Sequence, residues 1–156
     1  MTDTGERRLH PLIRHEHDPD HPGWWTWDLP GDETRFNATL GKLLVRAEGE
    51  GRARCRMFPG IAQSNLGNIV HGGAILTFID MAMFAGGYLA GANLGPSVTL
   101  DLSAQFLSGA KLGVPLDCTV ELLRESQRMA VMRGMVEQED ERVAAWSGTL
   151  RKLSRR

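Results

Sequence analysis

Residues 71–88, His-Gly-Gly-Ala-Ile-Leu-Thr-Phe-Ile-Asp-Met-Ala-Met-Phe-Ala-Gly-Gly-Tyr, constrain the fold more than any other stretch of this chain. Apolar residues fall on every face of a helix drawn through them: Ala74, Ile75, Leu76, Phe78, Ile79, Met81, Ala82, Met83 and Phe84. A helix that is apolar all round has to be enclosed by protein or lipid. The apolar run is shorter than the roughly 20 residues of a membrane span, and it contains Asp80 and the Gly86-Gly87 pair. A core helix is therefore expected, in a cytoplasmic protein away from membranes. The polar first 23 residues carry no secretory signal.

The segments around this helix have the period of strands. Val98 to Leu107 alternates, with Val98, Leu100, Leu102, Ala104 and Phe106 on one face and Thr99, Asp101, Ser103 and Gln105 on the other. That is the pattern of a half-buried strand. Leu40 to Ala47 and Arg52 to Phe58 read as two strands before the helix. Val114 to Arg124, Met129 to Gln138 and Arg142 to Leu153 read as three more after it, joined by polar turns. Two strands, one buried helix and four strands predict an α+β fold, an antiparallel sheet wrapped around one long central helix.

The bulk numbers set outer bounds. At 156 residues, one domain is expected. A net charge of −1 from 18 basic and 19 acidic side chains argues against a general nucleic-acid binder. Cys55 and Cys118 are too few for a disulfide framework and read as buried free thiols. Residues 1–35 hold four of the five histidines and three of the four tryptophans, punctuated by Pro and Gly without any period. They predict an irregular arm, with Trp24, Trp25 and Trp27 anchoring it to the body or to a partner, ahead of a regular domain over 36–156. The histidines of the arm (His10, His15, His17, His21) lack a fixed scaffold and predict no metal site.

Asp80 is the one charge in the buried helix, and a lone carboxylate there is costly unless paired or used. The run Asn65-Leu-Gly67-Asn-Ile-Val-His71-Gly72-Gly73, then Asp80-Met-Ala82, then Val98-Thr99-Leu-Asp101-Leu, resembles the hotdog-fold acyl-CoA thioesterases of the phenylacetate-pathway (PaaI) type. The resemblance covers residues 38–153 and leaves out the arm. It implies hydrolysis of an acyl-CoA to free CoA and a carboxylic acid, with no metal or redox cofactor.

These residues suit that chemistry. A helix N-terminus offers free N–H groups and a positive dipole end, and Gly72 admits a thioester oxygen close to such a group as an oxyanion hole. Asp80 would activate water or attack the thioester directly, made a stronger base by apolar surroundings. Eight residues separate the two, about 12 Å along one helix at a 1.5 Å rise. Two antiparallel helices from two subunits would bring Gly72 of one to Asp80 of the other. The resemblance implies the same shared site, in a homodimer or homotetramer, with Asn65 beside Gly72 and Thr99 beside the partner's Asp80. His71 and Gly73 are expected at the substrate, with Arg124 and Arg128, along with Lys111 and Arg151, as candidates for the CoA phosphates. Relatives place a basic residue and a proline where this chain has Phe106-Leu-Ser-Gly109.

Plainer roles exist for each residue. Asp80 could be a structural carboxylate, Gly72 and Gly73 packing residues, His71 a structural residue at the helix start, Asn65 a turn residue, and Met81 and Met83 core. A non-hydrolytic acyl-CoA-binding protein and a hotdog hydratase or dehydratase are the alternative functions.

Overall fold

The computed structural model describes residues 7, 9–31 and 33–154. Of the expected arm, residues 1–6, 8 and 32 lie outside the described residues. The elements are β1 (Trp25–Thr26), β2 (Leu43–Ala47), β3 (Arg52–Met57), α1 (Gly72–Leu89), β4 (Ser97–Phe106), β5 (Leu116–Glu125), β6 (Met129–Gln138) and β7 (Glu141–Lys152). The strands form one sheet in the order β1-β2-β3-β5-β6-β7-β4, with every neighbouring pair antiparallel. The sheet curls around α1, as the sequence pattern predicts.

Alternation decides which side of each strand meets the helix. In β3, Ala53, Cys55 and Met57 are buried. Arg54 and Arg56 leave the other face to pair with Glu48 at 2.7 Å and Asp117 at 2.6 Å. Cys55 stands opposite Cys118 in the register, and both are buried free thiols. Burial pushes both thiols well above their ordinary range, so neither is a ready nucleophile. The helix lies close to the sheet because it presents glycine there. A Cβ on Gly86 would fall 2.4 Å from Cγ2 of Val120.

Two features go beyond the periodic pattern. Its own chain does not cover the helix on every side. Ile75, Phe78, Ile79, Ala82, Met83, Ala85, Gly86 and Gly87 are buried. Gly73, Leu76, Thr77, Asp80, Met81 and Phe84 form a partly open stripe at spacings of three and four. One sheet can enclose only one side of a helix. Second, the face assignment of β4 changes along the strand. Thr99 pairs with Leu150, but Asp101 already pairs with Thr149, so Leu100 is an extra residue in a bulge. A one-residue shift exchanges faces. Thr99 therefore joins Leu102, Ala104 and Phe106 on the helix side.

β4 is the outer edge of the sheet, and its apolar Val98, Leu100 and Phe106 are exposed. The opposite edge is covered by the arm. Trp25 and Thr26, inside the stretch read as irregular, extend the sheet as β1. Trp24 is buried between the guanidinium groups of Arg46 and Arg56, each 4.4 Å from its ring. The Asp18 carboxylate is buried against Lys42 and the His21 ring.

Candidate active site

The loop before α1 is built to hold the start of the helix. Asn65 Oδ1 accepts hydrogen bonds from the N–H groups of Gly67 at 2.8 Å and Ile69 at 3.3 Å. The Asn65 N–H donates to the Ile69 carbonyl at 2.9 Å. Val70 N–H donates to Ala110 and His71 N–H to Gln63, which ties the loop to its surroundings. The Asn65 side chain thus organises the turn through its oxygen.

His71 is the N-cap, with extended backbone (φ −63°, ψ 135°). Its Nδ1 accepts from the Gly73 N–H at 2.8 Å. In the neutral ring the proton then sits on Nε2. The Gly73 donor is occupied by this cap. The His71 carbonyl accepts from Ala74 and Ile75. Among the described residues the Gly72 N–H has no partner, which leaves it free at the positive end of the helix. Phe106 packs over Gly72: a Cβ there would lie 3.5 Å from the ring.

Asp80 stands on the open stripe. Thr99 Oγ1 donates to its Oδ1 at 2.6 Å. This bond is possible only because the Leu100 bulge turns Thr99 toward the helix. Asp80 also borders a cavity of about 1110 Å³ between α1 and the arm, whose lining includes Met81, Phe84, Tyr88, Trp27, Leu12 and Ile13. Sequence reasoning did not assign Tyr88 to the site, and the clustered tryptophans of the arm pointed to a contact without saying which of them faces the cavity.

Within one chain, Asp80 and Thr99 are brought together, as are Asn65, His71, Gly72 and Gly73, while the two groups stay about 12 Å apart along the helix. The basic candidates separate as well. Lys111 bridges to Ile69, at the Gly72 end. Arg124 and Arg128 lie by the β5–β6 turn, where Glu125 accepts from Asn93 N–H and pairs with Lys152, at the other end of the helix. Arg151 in β7 faces Val98 and Met129. Among the described residues no group of three His, Cys, Asp or Glu side chains could hold a metal ion.

An antiparallel sheet curled around one long helix is the hotdog fold. The chain belongs to the Thioesterase superfamily, a family of thioester hydrolases, and the family profile matches residues 67–145. It is 27% identical over 99 residues to human acyl-coenzyme A thioesterase 13, spanning 61% of this chain and 67% of that one. The conserved protein PA5202 of Pseudomonas aeruginosa superposes with a TM-score of 0.67 and 26% identity, over 80% of this chain and all of that one. A variant of the phenylacetic acid degradation protein PaaI from Thermus thermophilus gives a TM-score of 0.62 and 26% identity, over 76% of this chain and 98% of that one.

Proposed function

We propose that the protein is an acyl-CoA thioesterase whose site is completed by two subunits. The observation that carries this is the Thr99–Asp80 hydrogen bond at the border of a large cavity. It places a carboxylate, held by one oxygen, on the open stripe of α1. The likeness to human acyl-coenzyme A thioesterase 13 supports acyl-CoA as the substrate.

In this mechanism the thioester carbonyl accepts the Gly72 N–H, which stabilises the oxyanion as charge develops on it. Asp80 takes a proton from the attacking water, or attacks the carbonyl carbon itself. Thr99 fixes the carboxylate, and the Asn65 loop fixes the helix start. Collapse of the intermediate breaks the carbon–sulfur bond. On the water route Asp80 returns its proton to the leaving thiolate, giving free CoA and the carboxylic acid. Direct attack leaves a mixed anhydride on Asp80 that water then hydrolyses to the acid, the thiolate taking its proton from solvent. This chemistry needs no metal or redox cofactor.

The Gly72 and Asp80 of one reaction come from two chains. The open stripe of α1 and the apolar β4 edge lie uncovered, and an exposed apolar strand edge invites pairing with another chain. Leu66, Leu76, Leu100 and Phe106 add exposed apolar surface. A second copy related by a two-fold axis would cover this surface and set the helices antiparallel. A cytoplasmic location fits the proposed use of CoA.

The test is a panel of acyl-CoAs with free thiol followed over time, alongside the mass of the particle in solution. Thiol release by a dimer or tetramer is expected. A changed acyl chain without thiol release would point to a hydratase, and binding with neither to a carrier.

A further inference from the structure

We infer that Trp27 of the arm and Tyr88 of α1 form the end wall of the acyl pocket and limit the substrate to acyl groups of about ten carbons or fewer. This inference rests on the acyl-CoA reading above and adds the substrate class.

The cavity beside Asp80 runs along α1. Asp80, Met81, Phe84 and Tyr88 all line it, at offsets of one, four and eight residues along one stripe. The helix forms one wall, and Leu12, Ile13 and Trp27 of the arm form the facing one. The family profile begins at residue 67, so this facing wall is supplied by the part of the chain outside it.

Packed rings stand at the Tyr88 end of this stripe. The Trp27 and Tyr88 centroids are 5.7 Å apart with the planes tilted by 51°. His15 meets Trp27 edge-on at 5.7 Å and Tyr88 at 6.5 Å. Trp27 is held by its backbone, whose N–H donates to the Leu43 carbonyl at 3.1 Å. His15 is held by a 3.0 Å contact from Nδ1 to the Thr26 carbonyl. The backbone bond fixes where the Trp27 ring starts, and the His15 and Tyr88 rings pack against it.

The length follows from the helix. Eight residues between Asp80 and Tyr88 give about 12 Å at a 1.5 Å rise. An extended chain advances about 1.2 Å per bond, so roughly ten bonds fit between carboxylate and wall.

The experiment measures kcat/KM for saturated acyl-CoAs of increasing length, and Kd for the matching S-alkyl-CoA thioethers, in the full chain and in Trp27→Ala. The wild type is expected to favour chains of about eight to ten carbons and to fall at least about tenfold at sixteen. Trp27→Ala should raise the sixteen-to-eight ratio about tenfold, in turnover and in thioether affinity. Tyr88→Ala opens the same wall from the helix side and should give the same shift, which keeps the test intact if Trp27→Ala does not fold. A wild type that accepts sixteen carbons as readily as eight, or a folded variant with an unchanged length profile, overturns the inference. Absence of all hydrolysis, with a thioether cut-off that still moves in the variants, would overturn the proposed turnover and uphold the wall.

Discussion

The Thr99 hydroxyl donates a 2.6 Å hydrogen bond to Oδ1 of Asp80, joining the edge strand to the middle of the central helix. Among the described residues Asp80 Oδ2 has no such partner, so one oxygen is anchored and the other is free to meet water or a thioester carbon. Asp80→Asn keeps the shape and the bond's geometry but removes the base or nucleophile. It should lower kcat by about 100- to 10,000-fold with the fold intact. Thr99→Val should lower kcat while leaving KM near its original value, because it loosens the carboxylate without touching the cavity. Thiol-release kinetics beside thermal midpoints check both, and near-normal hydrolysis by a folded Asp80→Asn protein would rule out the mechanism.

Gly72→Pro tests the oxyanion donor. The backbone accepts proline at this first helical position, since His71 is extended as a residue before proline should be. Phe106 at 3.5 Å allows ordinary contact with a Cβ. Loss of the N–H should reduce the rate by about 100- to 1,000-fold. Mixing these subunits with Asp80→Asn subunits under exchange adds the sharper outcome. About half of the dimers become mixed, and each then has one intact site and one doubly defective site. Activity should recover to roughly a quarter of wild type per total site. Verified exchange without recovery would sink the two-chain site.

Gly86→Ala should destabilise the protein. The added methyl would fall 2.4 Å from Cγ2 and 3.0 Å from Cβ of Val120. Val120 is β-branched and held in β5, so it cannot rotate clear. Overpacking costs about 1–3 kcal/mol, partly offset by the helix preference for alanine over glycine of about 1 kcal/mol. A lower melting temperature is expected, and an equal or higher one would mean that helix and sheet separate there at little cost.

The arm should be tied down through acid pH. Lys42, then His21, hold the Asp18 carboxyl at about 2, below its ordinary 3.8. A carboxyl with a depressed folded value contributes stability that is present above the unfolded value and lost as pH falls through the folded one. The contribution of Asp18 should therefore be full above about pH 4 and fade toward pH 2. Tryptophan fluorescence in an acid titration follows it, because Trp24 and Trp25 lie close by in the arm. Asp18→Asn should release the arm more easily at neutral pH and lose this part of the acid dependence. Identical titration curves for the two proteins would remove Asp18 from any such role.

Much of this architecture was legible in the sequence because it rests on local periodicity. The apolar run from Ala74 to Phe84 and the strand-like runs on either side of it determine one helix with two strands before it and four after, in that chain order, whereas the order of the strands within the sheet came from their pairing. Asp80 stood out as the only charge in its run, and Gly72 by its place at the helix start. Tertiary structure alone decided three things. The bulge at Leu100 is invisible to a period of two, yet it turns Thr99 from the outer face to Asp80. The open stripe on α1 depends on how far one sheet curls, so a helix apolar all round could not reveal which side its own chain leaves uncovered. The path of the arm is set by contacts between residues far apart, Trp24 with Arg46 and Arg56, and Trp27 with Tyr88. Local pattern fixes what must be buried, whereas the partner that buries it is chosen only when the chain closes on itself.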